Sequence, residues 1–391
     1  MMDFFQFQVP TRIVGGEPGF LQTMAPELAA FTGMRAAVIT DAVICTLPAY
    51  QQMLTSLEES NIQVVASYQS VPQDSDVQVV HTVRDALRPM ECELLIAIGG
   101  GSVMDTAKAV NIVLTHAGDL LEYQGAHILT EPLLPLIVIP TTVGTGSEVT
   151  MVSVIADATD HRKLTFVDYR LAPTLAVLDP AVTFSLPKSL VAATAMDALT
   201  HAIEAFIDVE HSPFSDLYAV EAARIIREQL LCALDDHGYE EARTHLQMAA
   251  TMAGIAFNHS MVGIVHALAH ALGGVSRVPH GVANSLMLVE GLQFNMEEVP
   301  ERIAEIGVRA GFVDVQNDVQ ATAKASIVAI AQLRADVCAK SGIASTLSAA
   351  GVSYEQIPLL VERASEDGSL LYNPRMAEEN DLLKMYEHMM K

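Results

Sequence analysis

The sequence predicts a chain in two parts: a parallel β-sheet with helices on both faces over residues 1–185, then an all-helical domain over residues 186–391. Two observations predict this. Up to about residue 185, short β-branched runs alternate with amphipathic stretches, the β-α-β-α rhythm of a parallel sheet with helical crossovers. After Leu186-Pro187 the β-branched runs stop, and Ala-, Met- and Leu-rich helical periodicity takes over. A chain of 391 residues suits two or three domains and can bury roughly three quarters of its unfolded surface without disulfide or metal staples.

Strands are expected at Arg35–Thr40, Ile62–Ala66, Leu94–Ile98 and Leu136–Ile139, with further candidates at 151–155, 163–167 and 174–178. Helices are expected at 48–59 and 76–89 between them. Right-handed crossovers then gather the loops after the strands on one edge, where α/β proteins bind ligands. In the second part, helical periodicity covers 188–208, 214–235, 240–257, 262–272, 297–310, 318–341, 354–365 and 377–390. Pro187 suits the start of the first, and Gly273-Gly274 reads as the end of the fourth.

Composition narrows the function classes. Acidic residues number 47 against 22 basic ones, a formal charge of −25, which repels nucleic acid and anionic membrane surfaces. The four cysteines lie far apart with no C-x-x-C pair, which suits a reducing cytoplasm and argues against zinc ribbons. The first ten residues carry an acid and no base, unlike a secretion signal. No uninterrupted apolar run of about 18 residues suggests a membrane span. These features lead to the expectation of a cytoplasmic enzyme or binding protein for small molecules.

Two glycine loops follow two of the strands. Gly99-Gly100-Gly101-Ser102 joins Leu94–Ile98 to a helix, so a ligand phosphate can approach the backbone and the helix N-terminus. The spacing is not G-x-G-x-x-G, and the alternative is a tight turn needing glycine for shape alone. Pro140–Glu148 supplies Thr141, Thr142, Gly144, Thr145, Gly146 and Ser147, hydroxyls and open amides suited to phosphate or ribose. Asp41, at the tip of Arg35–Thr40, can accept ribose hydroxyls and repel a 2′-phosphate, although Asp also caps helices. Together these suggest a dinucleotide.

Histidines 259, 266, 270 and 280 crowd one short region, downstream of Asp197 and His201. Asp197/His201 and His266/His270 are both i, i+4 pairs on helix faces. An apolar helix does not bury an aspartate and a histidine unless something pairs them. Asp197, His201, His266 and His280 form a ligand set of one oxygen and three nitrogens, suited to Fe(II), Zn(II), Mn(II) or Co(II). His270 is then available for proton transfer. No Lys or Arg occurs from Ser189 to Ala223 or from Leu246 to Ser276, so the surroundings favour a small neutral substrate.

These motifs resemble the iron-dependent (group III) alcohol dehydrogenases across nearly the whole chain, from Pro10–Gly16 to Asn373-Pro-Arg375. The resemblance implies a Rossmann-like first domain, a helical second domain as in dehydroquinate synthase, and a homodimer or larger assembly. It implies NAD(H) and one divalent metal, Fe(II) with Zn(II) as the alternative. The metal ligands it implies are Asp197, His201, His266 and His280. It puts Gly99–Ser102, with Asp105, at the pyrophosphate, and Thr141, Thr142 and Gly144–Ser147 at the cofactor. Lys163 falls near its ribose, Asp41 at the NAD preference, and His270 at proton transfer. Leu371-Tyr372 departs from the small residues many relatives carry before Asn-Pro-Arg, so substrate choice does not transfer from any one member, and Val152 stands where some members carry a substrate-binding Asn, so a polar diol is not favoured.

The activity expected is reversible oxidation of a primary alcohol, or reduction of an aldehyde, with NAD(H). The alternatives are a zinc polyol dehydrogenase of the same superfamily, a dehydroquinate synthase-like lyase, and a nucleotide-independent metal hydrolase. The lyase needs basic residues for an anionic sugar acid, and the uncharged helices argue against it.

Overall fold

The computed structural model describes residues 5–157 and 162–391. Its strands are β1 (Arg12–Gly15), β2 (Arg35–Thr40), β3 (Gln63–Tyr68), β4 (Leu94–Gly99), β5 (Gly125–Ala126), β6 (Leu136–Pro140), β7 (Val152–Asp157), β8 (Arg162–Val167) and β9 (Leu175–Leu178). Its helices begin with α1 (Pro48–Glu59), α2 (Val77–Leu87), α3 (Gly101–Thr115), α4 (Lys188–Ile207), α5 (Pro213–Ala233) and α6 (Glu240–Ser260). They continue with α7 (Ile264–Ser276), α8 (His280–Asn295), α9 (Pro300–Arg309), α10 (Val319–Ser341), α11 (Ile357–Ser365) and α12 (Glu379–Met389). The chain divides into two compact units: Val9–Ser185, and Leu186–Lys391 with the described part of Met1–Gln8.

The first unit is built on a six-stranded sheet in the order β1-β9-β6-β4-β2-β3, every neighbouring pair parallel. Alternation along the strands makes two cores. Ala36, Val38, Ile96, Ile98 and Ile139 pack with Tyr50, Met53 and Leu57 of α1. Ala37, Ile39, Leu95, Ala97 and Val138 pack with Val80 and Val83 of α2 and Met104, Ala107 and Val110 of α3. A parallel sheet covered on both faces needs such continuous apolar runs. The order reverses between β2 and β4, the kind of place where doubly wound sheets bind ligands. Thr40 pairs with Ile98 and Gly99 with Pro140, so Asp41 and both glycine loops leave one edge side by side.

Two strand candidates form strands, but outside the parallel sheet. The 151–155 and 163–167 candidates form the antiparallel pair β7/β8, which joins β5 in a separate three-stranded sheet. They are close neighbours in sequence, so antiparallel pairing satisfies their backbones without a crossover. β1 was not expected; four residues on a sheet edge, mostly exposed, leave little apolar signal.

The helical unit holds an element with no sequence expectation, α8. It is buried on nearly all sides, so it shows no polar face, and two glycines interrupt its pattern. Those glycines are required by packing. A Cβ on Gly281 would lie 2.2 Å from the Ala193 carbonyl oxygen on α4, and one on Gly291 would lie 2.4 Å from Val265 Cγ2 on α7. α7 also runs past Gly273-Gly274 to Ser276 and stops at Arg277, which takes the left-handed conformation at φ 56°. Glycine weakens a helix by about 1 kcal/mol, too little to end one that is packed from its other residues. The segment before Val9, expected with the first domain, joins the helical unit: Phe7 lies 4.2 Å from the His259 ring, and Gln8 N donates to His259 Nε2 at 3.0 Å. α4 is long and apolar enough to cross a membrane by length and composition, but 89% of that stretch is buried inside the structure.

Because Gly281 seats the start of α8 on α4, Gly281→Ala should push His280 away from Asp197. We expect about 1–3 kcal/mol of destabilisation and weaker metal retention; unchanged values in urea unfolding and metal analysis would show that α8 yields without consequence.

Candidate metal and cofactor sites

Asp197 and His201 lie one turn apart on α4, His266 on the first turns of α7, and His280 at the first residue of α8. One ligand atom from each comes within 4.8 Å of all the others. Asp197 Oδ1 lies 4.0 Å from His201 Nε2, 3.8 Å from His266 Nε2 and 3.5 Å from His280 Nε2. Three of the four are buried and His280 is partly exposed. His201 stacks on Phe257, ring centroids 4.2 Å apart.

The surrounding groups prepare these donors. His266 Nδ1 lies 2.5 Å from Glu204 Oε2, and Glu204 Oε1 accepts from Val265 N at 2.7 Å. Burial pushes the Glu204 carboxyl up to about 8, against the N–H groups of Val265, Gly263 and His266. Burial and the neighbouring histidines push His266 down, so its ring is neutral, Nδ1 carries the proton toward Glu204, and Nε2 offers a lone pair. Asn284, one turn after His280, donates from Nδ2 to Asp197 Oδ1 at 2.5 Å and lies 3.2 and 3.1 Å from the Nε2 atoms of His266 and His280. The positive end of its amide dipole thus stands among lone pairs. One carboxylate oxygen and converging imidazole nitrogens fit a divalent ion of the Fe/Zn type.

His270 sits one turn past His266, its ring 5.9 Å from that of His266 and 5.5 Å from that of His280. Its Nδ1 lies 2.8 Å from Asp367 Oδ2. Burial acts to raise the Asp367 carboxyl, but His270 and the Ser369 N–H outweigh it and hold it low. An anionic Asp367 fixes the Nδ1–H tautomer and leaves Nε2 as the basic nitrogen. His259, counted in the histidine-rich region, is engaged elsewhere: Nδ1 meets the Ile255 carbonyl and Nε2 the chain near Gln8.

In the α/β unit, α3 starts at Gly101 with no side chain capping it, so its first N–H groups suit an anion. Gly99 and Gly101 are needed for space: a Cβ on the first would lie 2.5 Å from Val103 Cγ2, and on the second 2.8 Å from Thr145 Cγ2. The tight-turn explanation therefore accounts for two of the three glycines. Gly100 faces Thr142, whose buried hydroxyl has no partner, an orphan that a ligand oxygen would satisfy. These features fit a dinucleotide. Thr141 N donates to the Gly99 carbonyl at 3.0 Å, binding the loops at their roots.

Asp105 is turned into the protein. It accepts from Ser147 Oγ at 2.7 Å and Val154 N at 3.1 Å, which ties α3 to the second loop. Lys108, fully buried, completes the tie through five oxygens: the carbonyls of Ser147, Thr150 and Val152 and the hydroxyls of Ser147 and Thr150, all at 2.7–3.0 Å. Burial pulls its pKa down to about 8, opposed by Asp105 and Glu148. Gly146 takes φ 64°, and Thr145 Oγ1 accepts from Ser147 N at 3.4 Å, which shapes the turn begun at Gly144. Lys163 Nζ meets Asp74 Oδ1 at 3.1 Å, and Asp74 N donates to Ser102 Oγ at 3.2 Å, so Lys163 borders the glycine loop. Asp41 Oδ1 accepts from Val43 N and Ile44 N, both at 2.8 Å, the capping role sequence had left open.

Residues 10–180 match the family described as iron-containing alcohol dehydrogenase, and residues 191–390 the C-terminal domain of the Fe-containing alcohol dehydrogenase family. The chain belongs to the iron-containing alcohol dehydrogenase family. It is 33% identical over 382 residues to the NAD-dependent methanol dehydrogenase of Bacillus methanolicus, and 35% identical over 390 residues to a 1,3-propanediol dehydrogenase of Citrobacter freundii. Both comparisons cover 98% of each protein. The crystal structure of a 1,3-propanediol oxidoreductase superposes with a TM-score of 0.93 at 32% identity, over 99% of this chain and 100% of that one. This dehydrogenase is therefore an alcohol oxidoreductase with the fold the sequence implied.

Sequence reasoning missed Lys108, Asn284 and Asp367. A lysine inside the apolar run Ala107–Val110 was a signal for the first. Nothing near Asp367 in sequence points to His270, 97 residues away.

Replacing Lys108 by Met should remove the donor shared by the Ser147, Thr150 and Val152 carbonyls. We expect a loss of about 3 kcal/mol or more and weaker NADH binding, followed by denaturant melts and NADH fluorescence; normal binding with normal stability would remove Lys108 from this role.

Proposed function

We propose that this enzyme interconverts a small neutral primary alcohol and its aldehyde with NAD(H), using one divalent metal, Fe(II) in the first instance. The observation that carries the reading is the convergence of Asp197, His201, His266 and His280 on one point inside an apolar helical unit. These four residues hold the ion, and Glu204 and Asn284 orient them. When bound, the ion supplies Lewis acidity to the alcohol oxygen, and the nicotinamide accepts the hydride. Gly100, Thr142 and the α3 N-terminus bind the pyrophosphate.

The alcohol proton goes to His270 Nε2, with Asp367 stabilising the imidazolium through Nδ1. Phe257 lies against His201 and keeps water from that side of the cluster. No Lys or Arg occurs in the sequence from Ser189 to Ala223, which carries Asp197 and His201, or from Leu246 to Ser276, which carries Phe257, His266 and His270, so a charged substrate has no counter-ion there. Leu371 is 80% exposed, and Val152 gives its carbonyl to Lys108, so neither side chain supplies a polar group for a hydroxylated substrate.

Metal analysis of anaerobically purified protein, with an NADH-linked aldehyde panel, tests the whole reading; full activity after thorough chelation would overturn it. The two helix-α7 histidines should part company. His266→Ala should lose the metal, whereas His270→Ala should keep metal and NADH while turnover falls by about 10²–10⁴ with an altered pH profile. Equal metal loss in both variants would make His270 a ligand.

Coenzyme choice is separable from the metal. Asp41→Asn keeps the acceptor for Val43 and Ile44 and removes only the charge. The NADP/NAD ratio of kcat/KM should rise by roughly tenfold or more, on the order of the 1–4 kcal/mol between unit charges 4 Å apart. An unchanged ratio would place Asp41 away from the ribose.

A further inference from the structure

Beyond Glu204, at the C-terminal end of α4, lies an acidic group that the chemistry above does not use. Asp208 follows the last residue of α4 and is fully buried. Neither of its carboxylate oxygens has a hydrogen-bond partner. Three features of this position act against a charge. An unpaired carboxylate is costly to bury. The end of a helix presents the negative pole of its dipoles. Glu204, a second carboxyl group whose charge would be of like sign, stands one turn upstream. Burial first, and then Glu204, hold the Asp208 carboxyl well above the usual range.

The neighbours supply acceptors. A methyl group built on Gly263 would lie 2.8 Å from both Asp208 Oδ1 and Asn373 Oδ1, and 3.2 Å from Glu204 Oε1. Three side-chain oxygens therefore gather beside one glycine. The other two already accept: Asn373 Oδ1 from Ile264 N and Asn295 Nδ2, and Glu204 Oε1 from Val265 N. What this group lacks is one proton facing those oxygens.

We propose that Asp208 is a carboxylic acid in the folded enzyme and a positioning residue, its O–H donating to the oxygens beside Gly263 and keeping Glu204 seated against His266. A charged Asp208 would repel Glu204 from that seat, and the His266 ring would lose its orienting partner. The assignment of the proton stands independently of the metal; the consequence for the ligand rests on the metal reading above.

The test uses the holoenzyme labelled with side-chain ¹³C-aspartate. Infrared spectra at neutral pH should show the carbonyl stretch of a protonated carboxyl, shifted by the label and absent in Asp208→Asn. Metal affinity should stay within about twofold in Asp208→Asn, which is uncharged and keeps an N–H donor. It should fall about 10–100-fold in Asp208→Ala, the range for partners that orient a ligand. Asp208→Ser, which keeps an O–H donor but no acid, gives the same subtraction if the Asn variant does not fold, and separates Asp208 from the buried Asp105. No such band, a band that ignores the label, or equal metal loss in the Asn and Ala variants would overturn the proposal. The band in a protein that binds no divalent ion would instead overturn the metal reading and the positioning role.

Discussion

Asp197 is a carboxylate on a helix whose other buried side chains are nearly all apolar, and its burial constrains the helical unit more than any other contact. A charge there is tolerable only with partners, and three of them come from two other helices: His266 on α7, and His280 and Asn284 on α8. Bringing them within reach requires helices to approach closely, which is why Gly281 sits against the Ala193 backbone and Gly291 against the Val265 side chain. The same closeness strips water from Glu204 and His266. With solvent gone, proton positions follow from hydrogen bonds: Nδ1–H toward Glu204, lone pair toward the cluster.

The α/β unit meets a different constraint, a need for open backbone at a ligand site that must still be rigid. Uncapped helix ends and glycines leave amides exposed to a phosphate, but they also leave the loops unsupported. Lys108 and Asp105 solve this from below. One buried ammonium gathers five oxygens of the second loop and the chain leading from it into β7, and one buried carboxylate bridges that loop to α3. Charge inside the protein holds the loops, and the backbone of the glycine loop is left open, as the proposed cofactor site requires.

Where sequence and structure part, the cause is long-range packing. Gly273-Gly274 has the composition of a helix end, yet α7 continues because neighbouring side chains outweigh a local propensity of about 1 kcal/mol per glycine. α8 carries no amphipathic stripe because nearly every side of it is covered. β7 and β8 have strand composition, but composition does not say which sheet receives them. His259 shares the sequence neighbourhood of the ligands and serves the N-terminal segment instead.

The sequence by itself determined the two-part architecture, the positions of most elements, the two glycine loops and the set of Asp197, His201, His266 and His280. These are local properties: periodicity, turn chemistry, and i, i+4 spacing that places side chains on one helical face. Only the tertiary structure decided what surrounds them. Asp367 against His270, Asn284 against Asp197 and His266, Lys108 beneath the second loop and Asn373 beside Asp208 at Gly263 all join residues whose separation in sequence carries no information about distance in space. Their chemistry depends on burial, and burial is a property of the packed chain.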